Sequence, residues 1–200
     1  MLTAVQDTPV ILLNGARQTG KSTLARHFID TGHFTRYLTL DDSLVLAAAH
    51  NDPDGFVRNL REPTIIDEVQ RTPELFTAIK AEVDRDRRPG RFFLTGSADV
   101  FLLPRLSESL AGRMEIFTLW PFSQGERLGI REKFIDAVFA EELPPLQPEP
   151  EKTNRIEQAL AGGFPEATER ATPERRDAWF RSYITTILQR DVRDLANIEG

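Results

Sequence analysis

Eight consecutive residues, Gly15-Ala16-Arg17-Gln18-Thr19-Gly20-Lys21-Ser22, fit the pattern G-x-x-x-x-G-K-[ST] completely. The two glycines let the backbone curl so that successive N–H groups point inward, and a helix opening at Lys21 would turn its positive end toward a polyanion. Lys21 supplies a point charge for β- and γ-phosphates, and Ser22 offers a hydroxyl to Mg²⁺. A chance match in a chain of ordinary composition is roughly a one-in-a-hundred event. The chemistry such a loop performs is to cradle the phosphates of ATP or a close relative.

A second constellation lies at Asp67-Glu68, directly after the apolar run Thr64-Ile65-Ile66. Asp67 is placed to hold a metal opposite Ser22, and Glu68 to orient or activate an attacking water. Taken alone, such a pair is more often a helix cap or a surface feature; the glycine loop upstream favours the functional reading. Thr95 and Ser97 follow another apolar run, where a short hydroxyl can reach a γ-phosphate or the water beside it, although Thr-Gly-Ser is equally good turn chemistry. Arg113 could reach transition-state charge from its own chain or from a neighbouring subunit, and Arg105 is a weaker candidate for the same duty. A lone arginine is more often solvated or salt-bridged.

These residues need elements to position them. Pro9–Asn14 has no charge and reads as a strand covered on both faces, leading into the glycine loop and then a helix over Lys21–Asp30 with Thr31-Gly32 as its stop. Tyr37–Leu40 alternates as a second strand, and Asp41-Asp42-Ser43 predicts the cap of a short Ala-rich helix. A polar, turn-rich connection is expected through Asn51–Gly55. The third strand, Thr64–Ile66, precedes a helix with Pro73 at its first position, carrying Leu75, Phe76, Ile79 and Val83. Arg91–Leu94 makes a fourth strand and, after another helical stretch, Met114–Leu119 a fifth. Strands alternating with helices predict an α/β fold, a three-layer sandwich around a mostly parallel five-stranded sheet with right-handed crossovers. Ligands in such sheets bind at the carboxyl ends of strands, where all three motifs would converge.

The remainder of the chain bounds the answer. At 200 residues it holds one α/β core and a modest appendage. We divide it into a core over 1–122 and a helical lid or linker region over 123–200 that leads into a truncated C-terminal domain. The segment Glu141–Lys152 has the proline-rich acidic composition of a linker. From Pro173 on, Trp179, Phe180, Tyr183, Ile184, Ile187, Leu188, Val192 and Leu195 form an apolar stripe at helical period. That stripe needs a covering surface, supplied by a longer parent chain or by another subunit. A net charge of −6 leaves nucleic acid unsupported as a partner, though a local basic patch can hide in that average. The chain has no cysteine, its three histidines lack metal-ligand spacing, and no apolar run is long enough to span a bilayer. A cytoplasmic location is the default expectation.

The chain resembles the prokaryotic AAA-type P-loop ATPases in which the P-loop domain precedes a C-terminal domain of unknown function. The resemblance is carried by Gly15 to Ser22 with Thr23, by Ile66-Asp67-Glu68-Val69-Gln70-Arg71, by Leu94-Thr95-Gly96-Ser97, and by Leu110-Ala111-Gly112-Arg113 with Pro121-Phe122-Ser123. Later echoes are Gly162-Gly163-Phe164-Pro165 and Arg190-Asp191-Val192. It implies an AAA/RecA-like sheet with the strand bearing Thr95 between those bearing the glycine loop and the acidic pair. It also implies Mg²⁺-dependent ATP hydrolysis with Glu68 as the catalytic carboxylate, and a C-terminal domain mostly absent here. Two other readings stay open: a nucleotide-dependent switch or docking module that does not hydrolyse, and a P-loop small-molecule kinase. Homo-oligomerisation through Arg113 and the C-terminal helix is a further expectation.

Overall fold

The computed structural model describes residues 1–97, 110–140 and 155–198, with the side chains of the last helix described to 189. Arg105, the linker Glu141–Lys152 and the side chains of Arg190, Asp191, Val192 and Leu195 lie outside the described residues. The chain divides into two compact units, Met1–Trp120 and Pro121–Gly200.

In the first unit a short helix α1 (Leu2–Val5) precedes β1 (Val10–Asn14), which runs through the glycine loop into α2 (Lys21–Asp30). Then follow β2 (Arg36–Thr39), α3 (Ser43–Asn51), α4 (Pro53–Arg58), β3 (Thr64–Asp67), a single 3₁₀ turn over Val69–Arg71, α5 (Leu75–Arg85), β4 (Phe92–Thr95) and β5 (Met114–Thr118). The five strands form one sheet in the order β2-β3-β4-β1-β5, and every pairing is parallel. The strand bearing Thr95 therefore lies between the glycine-loop strand and the acidic-pair strand, as the resemblance implies.

Parallel strands need both faces covered, and the sequence supplies apolar residues at the first four positions of β1, with Asn14 buried at its end. Val10 and Leu12 enter the core shared with α3, α4 and α5, while Ile11 and Leu13 enter the opposite core with α1 and α2. Ile66, Phe92 and Leu94 fall on the first side; Ile65 and Phe93 fall on the second. Strand periodicity thus distributes each apolar run between two helical layers.

One sequence expectation needs correcting here. Asn51–Gly55 is not a connection alone: Pro53 opens α4, and the Asp52 side chain caps it by accepting from the Gly55 N–H at 2.8 Å. Proline at the first helical position lacks only an N–H that would have no partner there anyway, so the same residue types that make turns here start a helix. A smaller difference lies at Pro73, which precedes α5 by two residues rather than opening it.

The regular elements described in the second unit are all helices: α6 (Gln124–Leu128), α7 (Phe134–Val138), α8 (Arg155–Ala161), α9 (Pro165–Thr168) and α10 (Pro173–Ile198). Ser123 and Glu126 form a reciprocal capping box at the start of α6. Phe164 packs against Trp179 and Tyr183 of α10 with ring centroids 5.6 and 5.0 Å away, so part of the apolar stripe finds its cover inside the unit. The neighbouring Gly163 lies against the Phe122 backbone, where a Cβ would stand 2.1 Å from the Phe122 carbonyl oxygen. Ile184 and Leu188, further along the same helix, stay more than half exposed.

Candidate functional site

The glycine loop joins the carboxyl end of β1 to the amino end of α2. Gly15 has φ +149°, and a Cβ on it would lie 2.3 Å from the Leu119 carbonyl oxygen, so no other residue fits there. Gly20, with φ +100°, is the left-handed residue that caps α2. Gln18 is also left-handed, with φ +61°. Glu68 shares that φ, and the two are the described non-glycine residues of this kind. Such conformations cost about 1–3 kcal/mol each, and both fall within the two sequence motifs.

Lys21 is buried, and its ammonium donates to the carbonyls of Gly15 at 3.0 Å and Ala16 at 2.8 Å. The Thr19 hydroxyl donates to the same Ala16 carbonyl at 2.9 Å. The loop is therefore closed on its own lysine. Burial pushes the Lys21 ammonium below the usual lysine pKa; the charges of Glu68 and Asp67 pull it back up, and Arg17 adds a smaller downward push.

Asp67, at the carboxyl end of β3, gathers three hydroxyls. Its Oδ1 accepts from Ser22 Oγ at 3.2 Å and, at close range, from Thr95 Oγ1. Its Oδ2 accepts from the Tyr37 phenol at 2.5 Å. The Thr95 hydroxyl in turn accepts from the Glu68 backbone N–H at 3.2 Å, and so ties the acidic pair to β4. The Glu68 carboxylate accepts from the Gln70 side-chain amide. The sequence left Thr95 open between a contact to phosphate or water and ordinary turn chemistry; here its hydroxyl bonds Asp67 and the Glu68 N–H. Ser97 is buried just beyond β4.

Tyr37 and Asn14 carry no motif signal, while Gln70 lies within the motif Ile66–Arg71 and meets Glu68. Tyr37, read from the sequence only as part of an alternating strand, holds Asp67 and lies under the Arg26 guanidinium at 4.5 Å from its ring centroid. Burial first, then the bond to Asp67, raises its phenol pKa well above the tyrosine norm. Asn14, the last residue of β1, is buried with its amide oxygen lacking a hydrogen-bond partner, and Gln70 has a similarly orphaned amide oxygen. Orphaned acceptors of this kind are costly unless a ligand or water satisfies them.

Arg113 is not brought to this place within its own chain. It precedes β5, its carbonyl pairing with the N–H of Val10 at the amino end of β1, while the glycine loop begins at the other end of that strand. The guanidinium instead binds Asp84 with Nε 2.5 Å from Oδ1, and it donates to the Ala111 carbonyl at 3.1 Å. This corrects the expectation that Arg113 could serve its own chain's loop; the neighbouring-subunit route remains.

The donor set fits a hard divalent cation. Ser22, Asp67 and Thr95 offer oxygens only, beside a lysine placed for phosphate. Among the described residues no group of three or more His, Asp or Glu could hold a metal by itself, so such an ion would complete its shell with phosphate oxygens and water, the usual habit of Mg²⁺.

Residues 7–128 match a family described as an AAA domain, and residues 152–200 match a domain of unknown function. Two curated relatives, uncharacterized proteins of Mycobacterium bovis and Mycobacterium tuberculosis, are each 34% identical over 193 residues, covering 96% of this chain. The chain spans only 38% of the length of these relatives. Among solved structures, AMPPCP-bound DnaA from Aquifex aeolicus aligns over 94% of this chain and 65% of its own, with 15% identity and a TM-score of 0.49. C. elegans PCH-2 aligns over 89% of this chain and 55% of its own, with 17% identity and a TM-score of 0.39. No helix among the described residues is long and apolar enough to cross a membrane.

Proposed function

The chain belongs to the AAA-domain family that its residues 7–128 match, and from that membership together with the site's geometry we propose that it is an Mg²⁺-dependent ATPase. The observation that carries the reading is the meeting of Ser22 and Asp67 at 3.2 Å, from elements 45 residues apart in sequence, beside the buried ammonium of Lys21. Nucleotide entry would draw Lys21 from the Gly15 and Ala16 carbonyls to the phosphates, while inward N–H groups from Ala16 to Ser22, with Thr23 behind them on α2, receive the remaining oxygens. Ser22 and Asp67 would hold the magnesium, which neutralises charge on the phosphates when bound. Glu68, freed from Gln70, would accept a proton from the attacking water. Thr95 keeps Asp67 and Glu68 in register, and Ser97 lies beyond it on the same edge of the sheet.

Phosphate release with Mg-ATP and with Mg-GTP tests this directly. Glu68→Gln is expected to bind nucleotide but release phosphate at least about a hundredfold more slowly, the lower range for loss of a general base. Lys21→Ala is expected to lose binding itself. Turnover of wild-type rate in Glu68→Gln would end the assignment of water activation to that residue.

The engagement of Glu68 by Gln70 gives the switch reading an observation of its own. A switch predicts that ATP stabilises the fold, by roughly 2.7 kcal/mol at a hundred times Kd, with no phosphate released at any protein concentration. Release of phosphate in the absence of any acceptor, abolished in Glu68→Gln, separates hydrolysis from both the switch and the kinase.

A further inference from the structure

A second polar site lies at the opposite edge of the same strands. At the amino ends of β3 and β4 a cleft of 730 Å³ is lined by Arg58, Arg61, Arg85, Arg88 and Arg91 with two carboxylates, Glu82 and Asp86. Arg58 ends α4, Arg61 precedes β3, Arg85 ends α5, and Arg88 and Arg91 lead into β4. Two loops and two helix ends therefore converge there, and none of these residues belongs to the glycine loop or the acidic pair.

The ion pairs do not neutralise the cleft. Glu82 is shared between Arg91 and Arg85, each at 2.6 Å. Asp86 is shared between Arg88 at 2.8 Å and Arg91 at 3.5 Å. Two carboxylates are thus consumed by three guanidiniums. Among the described residues Arg58 and Arg61 have no hydrogen bond or ion pair from their guanidiniums, and both are exposed or half-exposed on the cleft wall. Five cations face two anions in a chain whose net charge is −6, the reverse of the molecule's average. Arg91 is 3% exposed and fixed by the carbonyls of Glu82 and Asp86 at 3.1 Å each, so the floor of the cleft is rigid while its two unpaired arginines are free to close on a ligand.

We propose that this cleft binds a compact, multiply charged oxyanion of the pyrophosphate or phosphate-ester class. Guanidinium forks match such oxygens with paired N–H donors, and gathered positive charge raises the local anion concentration. The cleft volume falls within the range of small-molecule sites. An extended nucleic acid fits less well, because no aromatic side chain lines the cleft for bases to stack on and the chain as a whole repels polyanions. The site is independent of hydrolysis at the glycine loop and stands or falls separately from it.

Calorimetry with pyrophosphate, in magnesium-free buffer at about 150 mM salt to screen loose surface attraction, reads the site. The Lys21→Ala protein is the host, so that the glycine loop does not contribute. Binding is expected there, and adding Arg58→Gln with Arg61→Gln is expected to weaken it about tenfold or more, the loss of two charge-assisted contacts. Because those arginines have no intramolecular partner, the variants keep the fold, which thermal unfolding checks. Arg87→Gln, next to the cleft but outside its lining, is expected to bind within about twofold of the host. Absence of pyrophosphate binding in Lys21→Ala overturns the proposal, as does equal binding in the Arg58/Arg61 variant. A duplex or single-stranded oligonucleotide that binds more tightly than pyrophosphate, and loses affinity in the same variant, would assign the cleft to nucleic acid and overturn the compact-anion reading.

Discussion

Asp67 is the residue on which the candidate site is centred, because three hydroxyls from three different elements, those of Ser22, Tyr37 and Thr95, all meet its carboxylate. The Tyr37 phenol is the most readily tested. Its pKa is raised by burial and by the bond to Asp67, so above about pH 10 the unfolded chain gives up this proton while the folded one retains it. The folded state then binds more protons than the unfolded state, and stability must fall as pH rises through that window. Urea unfolding from pH 8 to about pH 11 is expected to show wild type losing stability more steeply than Tyr37→Phe, with the shared lysine titration cancelling in the difference. Parallel curves would remove the proton from the Tyr37–Asp67 contact. The glycine loop and the Asp-Glu pair are legible in the sequence because their chemistry is written in contiguous residues. Tyr37 is not, since its role depends on pairing: Tyr37 sits opposite Ile65 in the β2–β3 register, which makes Asp67 its diagonal neighbour on one face of the sheet. Nothing within β2 announces that neighbour. The Thr95 bonds to Asp67 and to the Glu68 N–H were not legible either, because which group a hydroxyl bonds is a matter of distances across strands.

At the scale of elements, the loop's position depends on how α2 is seated. Phe28 of α2 meets Phe93 of β4 at 5.2 Å between centroids, and Phe34 meets both, at 6.2 Å from Phe28 and 5.6 Å from Phe93. These rings lie on the sheet face opposite α3 to α5. Phe93→Ala is expected to destabilise the protein by about 3–5 kcal/mol, the cost of a large buried cavity with little room to collapse. Chemical denaturation measures this, and a loss below about 1 kcal/mol would mean the aromatic cluster does not hold the helix in place. Most of these elements were legible because Val10–Leu13, Thr64–Ile66 and Phe92–Leu94 are short uncharged runs and α2 and α5 carry apolar residues at helical spacing. The α4 helix was not, because Asp52-Pro53-Asp54-Gly55 carries equal credentials for a turn and for a capped first helical turn. Only the Asp52–Gly55 capping bond decides between them.

On the scale of the whole molecule, the parallel sheet separates two charged regions: the glycine loop and acidic pair at the carboxyl edge, the arginine cleft and Arg113 at the amino edge. A strand of five residues such as β1 spans roughly 15 Å, several times the reach of a hydrogen bond. Arg113 sits at the amino edge bound to Asp84, so to complete a nucleotide site in another copy of the chain it would have to exchange Asp84 for phosphate. The bond to Asp84 raises the Arg113 pKa and lowers that of Asp84, so the pair is held by charge in the isolated protein. Assembly has to offer the guanidinium a better anion, and the terminal phosphates of a bound triphosphate are such an anion. If this exchange takes place, phosphate release per molecule rises with protein concentration in wild type and stays flat in Arg113→Ala. The gap at high concentration approaches the factor of about 10³ or more that arginines supplied in trans contribute elsewhere. Asp84→Asn, which loosens the competing hold, is expected to shift the rise to lower protein concentration without changing the plateau. A rise with concentration that survives in Arg113→Ala would show that copies activate one another by some other residue, and would return Arg113 to the ordinary role of bridging Asp84 at the amino edge of the sheet.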